Sequence, residues 1–296
     1  MRAFLVLLRM LRSKTVFWLV VVVAVVTTLW QQPWTTRGGY VRNQVISYDV
    51  AGYYAYLPMV FIEGDVRLEK PWKYDMIQLV GVHEHPESGG RHLKFTMGMA
   101  VLYAPFFAAS HAYTLVVNPS EAHGFSMPYR VGIALAGLFY PLLGLSLLRR
   151  VLRHYVPDAA IAWTLVALFV GTNLLYYGTY RGAMSHGATF MLTAAMLFHA
   201  DLWRRREQAW RLLVLGALAG LIVLIRPVNI LIPLAVAAMF TLDGRLPKGL
   251  LTEKRLAWAV GVAVAVGIPQ LIYWKLSTGH WIVWSYGAER FFWAEP

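Results

Sequence analysis

Long uncharged runs alternate with short polar loops along this chain, and their lengths fix what each run can be. A helix needs roughly 20 apolar residues to cross the hydrocarbon of a bilayer and must satisfy its own backbone there. Eight runs meet or approach that length, over residues 15–31, 96–117, 131–148, 159–177, 184–202, 212–225, 228–242 and 256–274. The two that flank Arg226-Pro227 are short and read as a helical hairpin with its tip at or near a membrane surface. The predicted fold class is an all-α polytopic membrane protein, a single transmembrane domain over 1–296 with no internal repeat.

Composition agrees with the pattern. Hydrophobic residues make up 58% of the chain, mean hydropathy is +0.51 and 14% of residues are charged, well below the roughly 25% of a soluble domain. A net charge of +12 would suggest nucleic acid in a soluble protein. Here the basic residues cluster in short loops between apolar runs, so they serve as topology signals and no nucleic-acid partner is expected. With no cysteine, disulfides and thiolate metal sites are excluded. Arg2, Arg9, Arg12 and Lys14 precede the first run without a small-residue cleavage site after it, which predicts an uncleaved anchor.

The loops decide parity. Arg149, Arg150 and Arg153 form one cluster, Arg204, Arg205, Arg206 and Arg211 a second, and Arg245, Lys248, Lys254 and Arg255 a third. All belong on the cytoplasmic side with the basic N-terminus. That requires one run not to cross. Residues 96–117, with Gly98, a central Pro105 and Ser110-His111, are expected to form a bent helix in the outer interface. About seven spans remain, leaving 15 Lys and Arg against 5 Asp and Glu on the cytoplasmic side and 12 against 10 outside. Residues 32–130 become a long outer loop with juxtamembrane helices, and 280–296 an outer amphipathic segment. Trp30, Trp34, Trp274, Trp281 and Trp284 fall at predicted outer span ends, where such rings anchor.

Candidate chemistry gathers on that outer side. Helical spacing up to Pro58 puts Asp49, Tyr53 and Tyr56 on one face, a carboxylate beside an aromatic platform that suits a sugar. The same spacing also fits an interfacial helix with a solvated Asp. Lys94 opens the 96–117 helix, either to bind a lipid phosphate or to snorkel. Arg226 lies between two apolar runs, where an unpaired charge is costly and usually functional. Arg181 and His186 open another outer stretch, His186 either donating to a substrate oxygen or simply starting a helix. Glu289 and Arg290, in the aromatic tail, either face the same cavity or are solvated. His83-Glu84-His85 with His92 matches no established ligand spacing, and Pro86, Ser88, Gly89 and Gly90 predict a solvated loop rather than a metal site.

In order, these pieces resemble the GT-C class of membrane glycosyltransferases, particularly the bacterial branch similar to protein O-mannosyltransferases and lipid A aminoarabinose transferases. The resemblance rests on Asp49 after the first span, Lys94 opening a surface helix, Tyr129-Arg130 before the next span and the Arg149-Arg150 turn. It continues with the 172–186 segment, Gly220 to Pro227, and the aromatic stretch after the last span. It implies inverting transfer of a sugar from a polyprenyl-phosphate carrier to a lipid, glycan or protein acceptor, at the outer face of the bacterial inner membrane. Asp49 would be the base, with Lys94 and Arg226 stabilising the departing phosphate. No cofactor is implied; a divalent metal would be compatible, although Val50 stands where relatives often carry a second acid. Relatives continue with further spans, so the chain is expected to be a piece of a longer member. The rival readings are a transporter or lipid flippase, which would favour paired half-repeats, and a non-catalytic membrane subunit.

Overall fold

The computed structural model describes residues 12–31, 45–69, 81–206, 208–242 and 253–285. Over these the chain is mostly helical. Helix α1 covers Ser13–Gln31 and the short α2 covers Asp49–Tyr54. A turn at Tyr56–Pro58 and a π-turn at Met59–Glu63 follow, and then a two-stranded ribbon of β1 (Val82–Glu84) and β2 (Arg91–Leu93). The long helices are α3 (Gly98–Val117), α4 (Met127–Leu152), α5 (Asp158–Val170), α6 (Ser185–Arg206), α7 (Trp210–Ile225), α8 (Leu231–Leu242) and α9 (Glu253–Thr278). Each of the eight apolar runs is thus helical over most of its length. Among the described residues four helices are long and apolar enough to cross a membrane: α1, α3, α4 and α9. In the apolar windows of α1 and α9 only 28% and 11% of residues are buried within the protein. Trp18, Val22, Val26, Trp258, Val264 and Ile272 stand exposed along them, a surface suited to lipid rather than water.

Two ends of this bundle differ in chemistry. At one end the backbone N–H and hydroxyl of Ser13 both donate to Asp158, at 2.7 and 2.5 Å, and Arg149 Nε donates to Ser13 Oγ at 2.8 Å. The helix starts of α1 and α5 are thereby tied to the C-terminus of α4, and the carboxylate caps the Ser13 N–H at the start of α1. Beside them Asp201, 3% exposed, accepts from Tyr155 Oη at 2.5 Å and from Arg205 Nε at 3.0 Å, with His154 Nδ1 at 3.0 Å. The burial cost of that carboxylate is offset by charge-assisted bonds.

The other end holds the aromatic layer. Tyr53, Tyr54, Tyr103 and Tyr129 are fully buried there. Tyr54 packs edge-on against Phe107 and Phe125 at ring-centre distances of 5.9 and 5.5 Å, the arrangement favoured by ring quadrupoles. Helix α3 lies along the first half of α4: Ser110 Oγ donates to the Pro128 carbonyl, and Tyr140 Oη to the Leu102 carbonyl at 2.6 Å. Pro105 is accommodated inside α3 without ending it. Tyr129 Oη lies 2.5 Å from His111 Nδ1, and Arg130 Nε donates to the Phe125 carbonyl at 3.0 Å, so both residues of that pair serve packing.

Candidate functional site

The polar residues at this end are positioned by helix ends. Helix α7 stops at Ile225, and Arg226 adopts an extended backbone (φ −152°, ψ 125°) before the 3-10 turn Pro227–Ile230. Proline cannot continue the hydrogen-bond ladder and holds its predecessor out of helical geometry. The break turns the Arg226 side chain toward α2. There its Nε donates to Tyr53 Oη at 3.0 Å, and its Nη2 lies 3.8 Å from Asp49 Oδ2. Both charged side chains remain about a third exposed, at 32% for Arg226 and 39% for Asp49. The pair is therefore held loosely enough for a ligand to approach either partner.

Helix α2 presents Asp49 from an unusual start. Tyr48 precedes it with φ 49° and ψ −132°, outside the regions that side chains normally occupy. Its ring is half-exposed and lies under the Arg181 guanidinium, 5.8 Å from ring centre to Cζ. Backbone strain of this kind persists only when surrounding structure enforces it. His186, in the first turn of α6, packs against Tyr177 at 3.9 Å between ring centres and lies within electrostatic reach of both Arg226 and Asp49.

Lys94 joins the group through aromatic contacts. Its Nζ is 5.7 Å from the centre of the Phe95 ring, which packs on Tyr53 at 4.5 Å. The strand-to-helix corner carrying Lys94 is stitched across two helix ends: Leu93 N donates to Tyr273 Oη at 3.0 Å, Thr96 Oγ1 to the Ile225 carbonyl at 3.3 Å and Met97 N to Gln270 Oε1 at 2.8 Å. Tyr56, 4% exposed, stands in the wall behind. Its hydroxyl donates to the Phe95 carbonyl at 2.6 Å and its ring meets Tyr273 at 5.0 Å.

The structure thus brings Asp49, Tyr53, Arg226 and His186 together, with Arg181 beside Tyr48 and Lys94 beyond Phe95. Tyr56 is committed to packing, and Glu289 and Arg290 lie outside the described residues. Sequence reasoning did not single out Tyr48 or Tyr177, since neither strain nor a ring contact leaves a mark in spacing. The cationic and acidic groups allow a hydroxyl to lose a proton beside Asp49 while negative charge develops near Arg226.

The histidine stretch forms a ribbon rather than an irregular loop. β1 and β2 pair antiparallel with His83 opposite His92, and His85 N donates to the Gly90 carbonyl at 2.8 Å. Burial, with His83 and His85 close by, pulls the His92 imidazole down to about 4 from its ordinary 6.5. In comparisons with protein-family models, curated proteins and solved structures, the chain matches none of them.

Proposed function

We propose that this chain transfers a sugar from a polyprenyl-phosphate donor to an acceptor hydroxyl at the membrane face opposite its arginine clusters, with inversion. The observation that carries this reading is the meeting of Asp49 and Arg226 at 3.8 Å, both still accessible. His186 sits in the first turn of α6 and Arg204–Arg206 in its last. At 1.5 Å rise per residue the two ends lie about 27 Å apart, close to the thickness of a hydrocarbon core.

In this mechanism Asp49 takes the acceptor proton as the hydroxyl oxygen bonds to the anomeric carbon from the side opposite the phosphate. The bond from that carbon to the phosphate oxygen breaks, and the lipid phosphate departs with the electron pair. Arg226 and Lys94 offset the charge that develops on it, while Tyr53 holds the guanidinium in place. Seven spans fit this scheme, with α3 beside the outer half of α4 rather than across the bilayer. Membrane lipids and a lipid, glycan or protein acceptor are the partners. The Asp49→Asn variant is expected to lose at least about a hundredfold in transfer, the scale of general-base catalysis. The assay offers purified protein in lipid nanodiscs a panel of polyprenyl-phosphate hexoses and pentoses, alongside thermal unfolding that should not move. Wild-type turnover in Asp49→Asn would remove the carboxylate from the reaction.

A further inference from the structure

The β1–β2 ribbon, which leads into Lys94, walls a cavity of about 440 Å³. That volume lies within the range of small-ligand sites. Around it stand His83, His85, His92, Glu84, Glu87 and Trp284. The end of α9 fixes the ribbon wall: a Cβ added to Gly90 would lie 2.3 Å from the Ser277 carbonyl oxygen, and Leu93 N donates to Tyr273 Oη at 3.0 Å.

Three imidazole nitrogens here lack partners. His92 is 3% exposed, yet neither of its ring nitrogens is hydrogen-bonded, and His85 Nδ1 is buried and unpartnered as well. Buried polar atoms are nearly always satisfied, so these atoms call for a ligand. Its chemistry follows from theirs. Burial, helped by His83 and His85, keeps His92 neutral at neutral pH, and a neutral imidazole has one donor and one acceptor nitrogen. A hydroxyl both donates and accepts, whereas an ammonium only donates. A phosphate or carboxylate would face Glu84 and Glu87, with no lysine or arginine among the described lining residues. The Trp284 ring, 78% exposed, offers a flat apolar face to the C–H groups of a sugar ring.

We infer that the ribbon cavity binds a neutral sugar residue of the acceptor, which makes that acceptor a glycan. His92 and His85 exchange hydrogen bonds with its hydroxyls, Glu84 and Glu87 accept from others at the rim, and Trp284 stacks on its ring. His92 lies two residues, roughly 7 Å, before Lys94 in the chain. Phe95 follows and packs on Tyr53, which holds Arg226. An acceptor longer than one sugar then extends past Lys94 toward Asp49. The binding site stands on the cavity alone, while its place in acceptor recognition rests on the transfer reaction proposed above.

The test uses the full chain in lipid nanodiscs, titrated by calorimetry, without donor, with linear glucose, mannose and N-acetylglucosamine oligosaccharides. Amide hydrogen exchange over residues 81–94 and 280–285 is followed in parallel. Saturable binding of at least one oligosaccharide is expected, with slowed exchange in both stretches. Trp284→Ala, at an exposed position on which folding does not depend, and His92→Phe, which keeps a ring but no polar atom, are each expected to weaken binding about tenfold or more. No binding across the panel overturns the site, as does binding that survives both substitutions, which would leave Trp284 a headgroup anchor. Turnover decides the acceptor role separately. With donor added, the bound oligosaccharide should gain one sugar, and its KM should rise about tenfold in Trp284→Ala. Transfer confined to lipid or protein acceptors overturns the glycan role and leaves the reaction standing; binding with no transfer to any acceptor sinks the reaction and leaves the site.

Discussion

Tyr48 shows how much of the candidate site is decided by single residues. Its φ of 49° with ψ −132° costs on the order of 1–3 kcal/mol in a residue with a side chain, and glycine would adopt it freely. Tyr48→Gly is expected to raise thermal stability by about 1 kcal/mol while lowering transfer, because the ring under Arg181 is gone. A fall in both would show that the ring contact outweighs the strain. His92 gives a pH-dependent counterpart. Unfolded, it binds a proton near 6.5; folded, only near 4. The unfolded ribbon therefore holds more protons between these values, and stability is lost as pH falls through them. Exchange of the amides in 82–93, corrected for intrinsic rates, should be faster at pH 5 than at pH 7.5. The difference should vanish in His92→Phe. Asp49 and Arg226 were legible in the sequence, because a charge bordering or interrupting apolar runs stands out against its surroundings. The burial of His92 was not, since it depends on β2 lying over Tyr273 in α9, 180 residues away along the chain.

Among the elements, helix existence was readable and helix ends were less so. Hydrophobic length alone located every long helix, but α4 starts at Met127 rather than 131 because Ser126 and Pro128 suit a helix N-terminus. The run expected over 159–177 breaks after Val170, where Gly171 ends α5 and Thr172 turns its hydroxyl back to the Leu168 carbonyl. The π-turn at Tyr176–Tyr180 has no hydrophobic period to announce it. The contact between α3 and α7 depends on Gly98, where an added Cβ would lie 2.4 Å from Ile225 N and 2.5 Å from the Leu224 carbonyl carbon. Backbone cannot step aside as a flexible side chain can. Gly98→Val is expected to cost about 2 kcal/mol as an overpacked site and to weaken transfer by shifting Arg226. Gly261→Ala, which meets nothing within 4 Å, should leave both unfolding temperature and turnover near wild type.

At the scale of the whole molecule, the two chemically distinct ends make sidedness measurable. The chain has no cysteine, so a single introduced thiol reports without background. Ser88 lies in the ribbon turn and Arg153 beyond the C-terminus of α4, and both are exposed. In sealed inverted vesicles an impermeant maleimide should label Arg153→Cys and spare Ser88→Cys, and in intact cells the pattern should reverse. Labelling of both from one side would break the link between arginine clusters and topology on which the proposed transfer rests. Charge clusters could be read from the sequence because they sit in loops. What no linear pattern conveyed was that residues 45–69, 81–126 and the ends of α7 and α9 close over one another, since each contact joins stretches far apart in the chain.

One contact deep in the fold sets a limit on how this protein can vary. The middle of α4 meets the Arg181–Ala183 turn backbone against backbone, so that a Cβ on Gly137 would fall 2.3 Å from the Gly182 carbonyl carbon, while the Tyr103 hydroxyl donates to the Ala183 carbonyl from another side. Arg181 and His186 are consequently set by a clearance narrower than one methyl group. A position bearing no side chain, facing no solvent and performing no chemistry should tolerate replacement as poorly as the carboxylate itself.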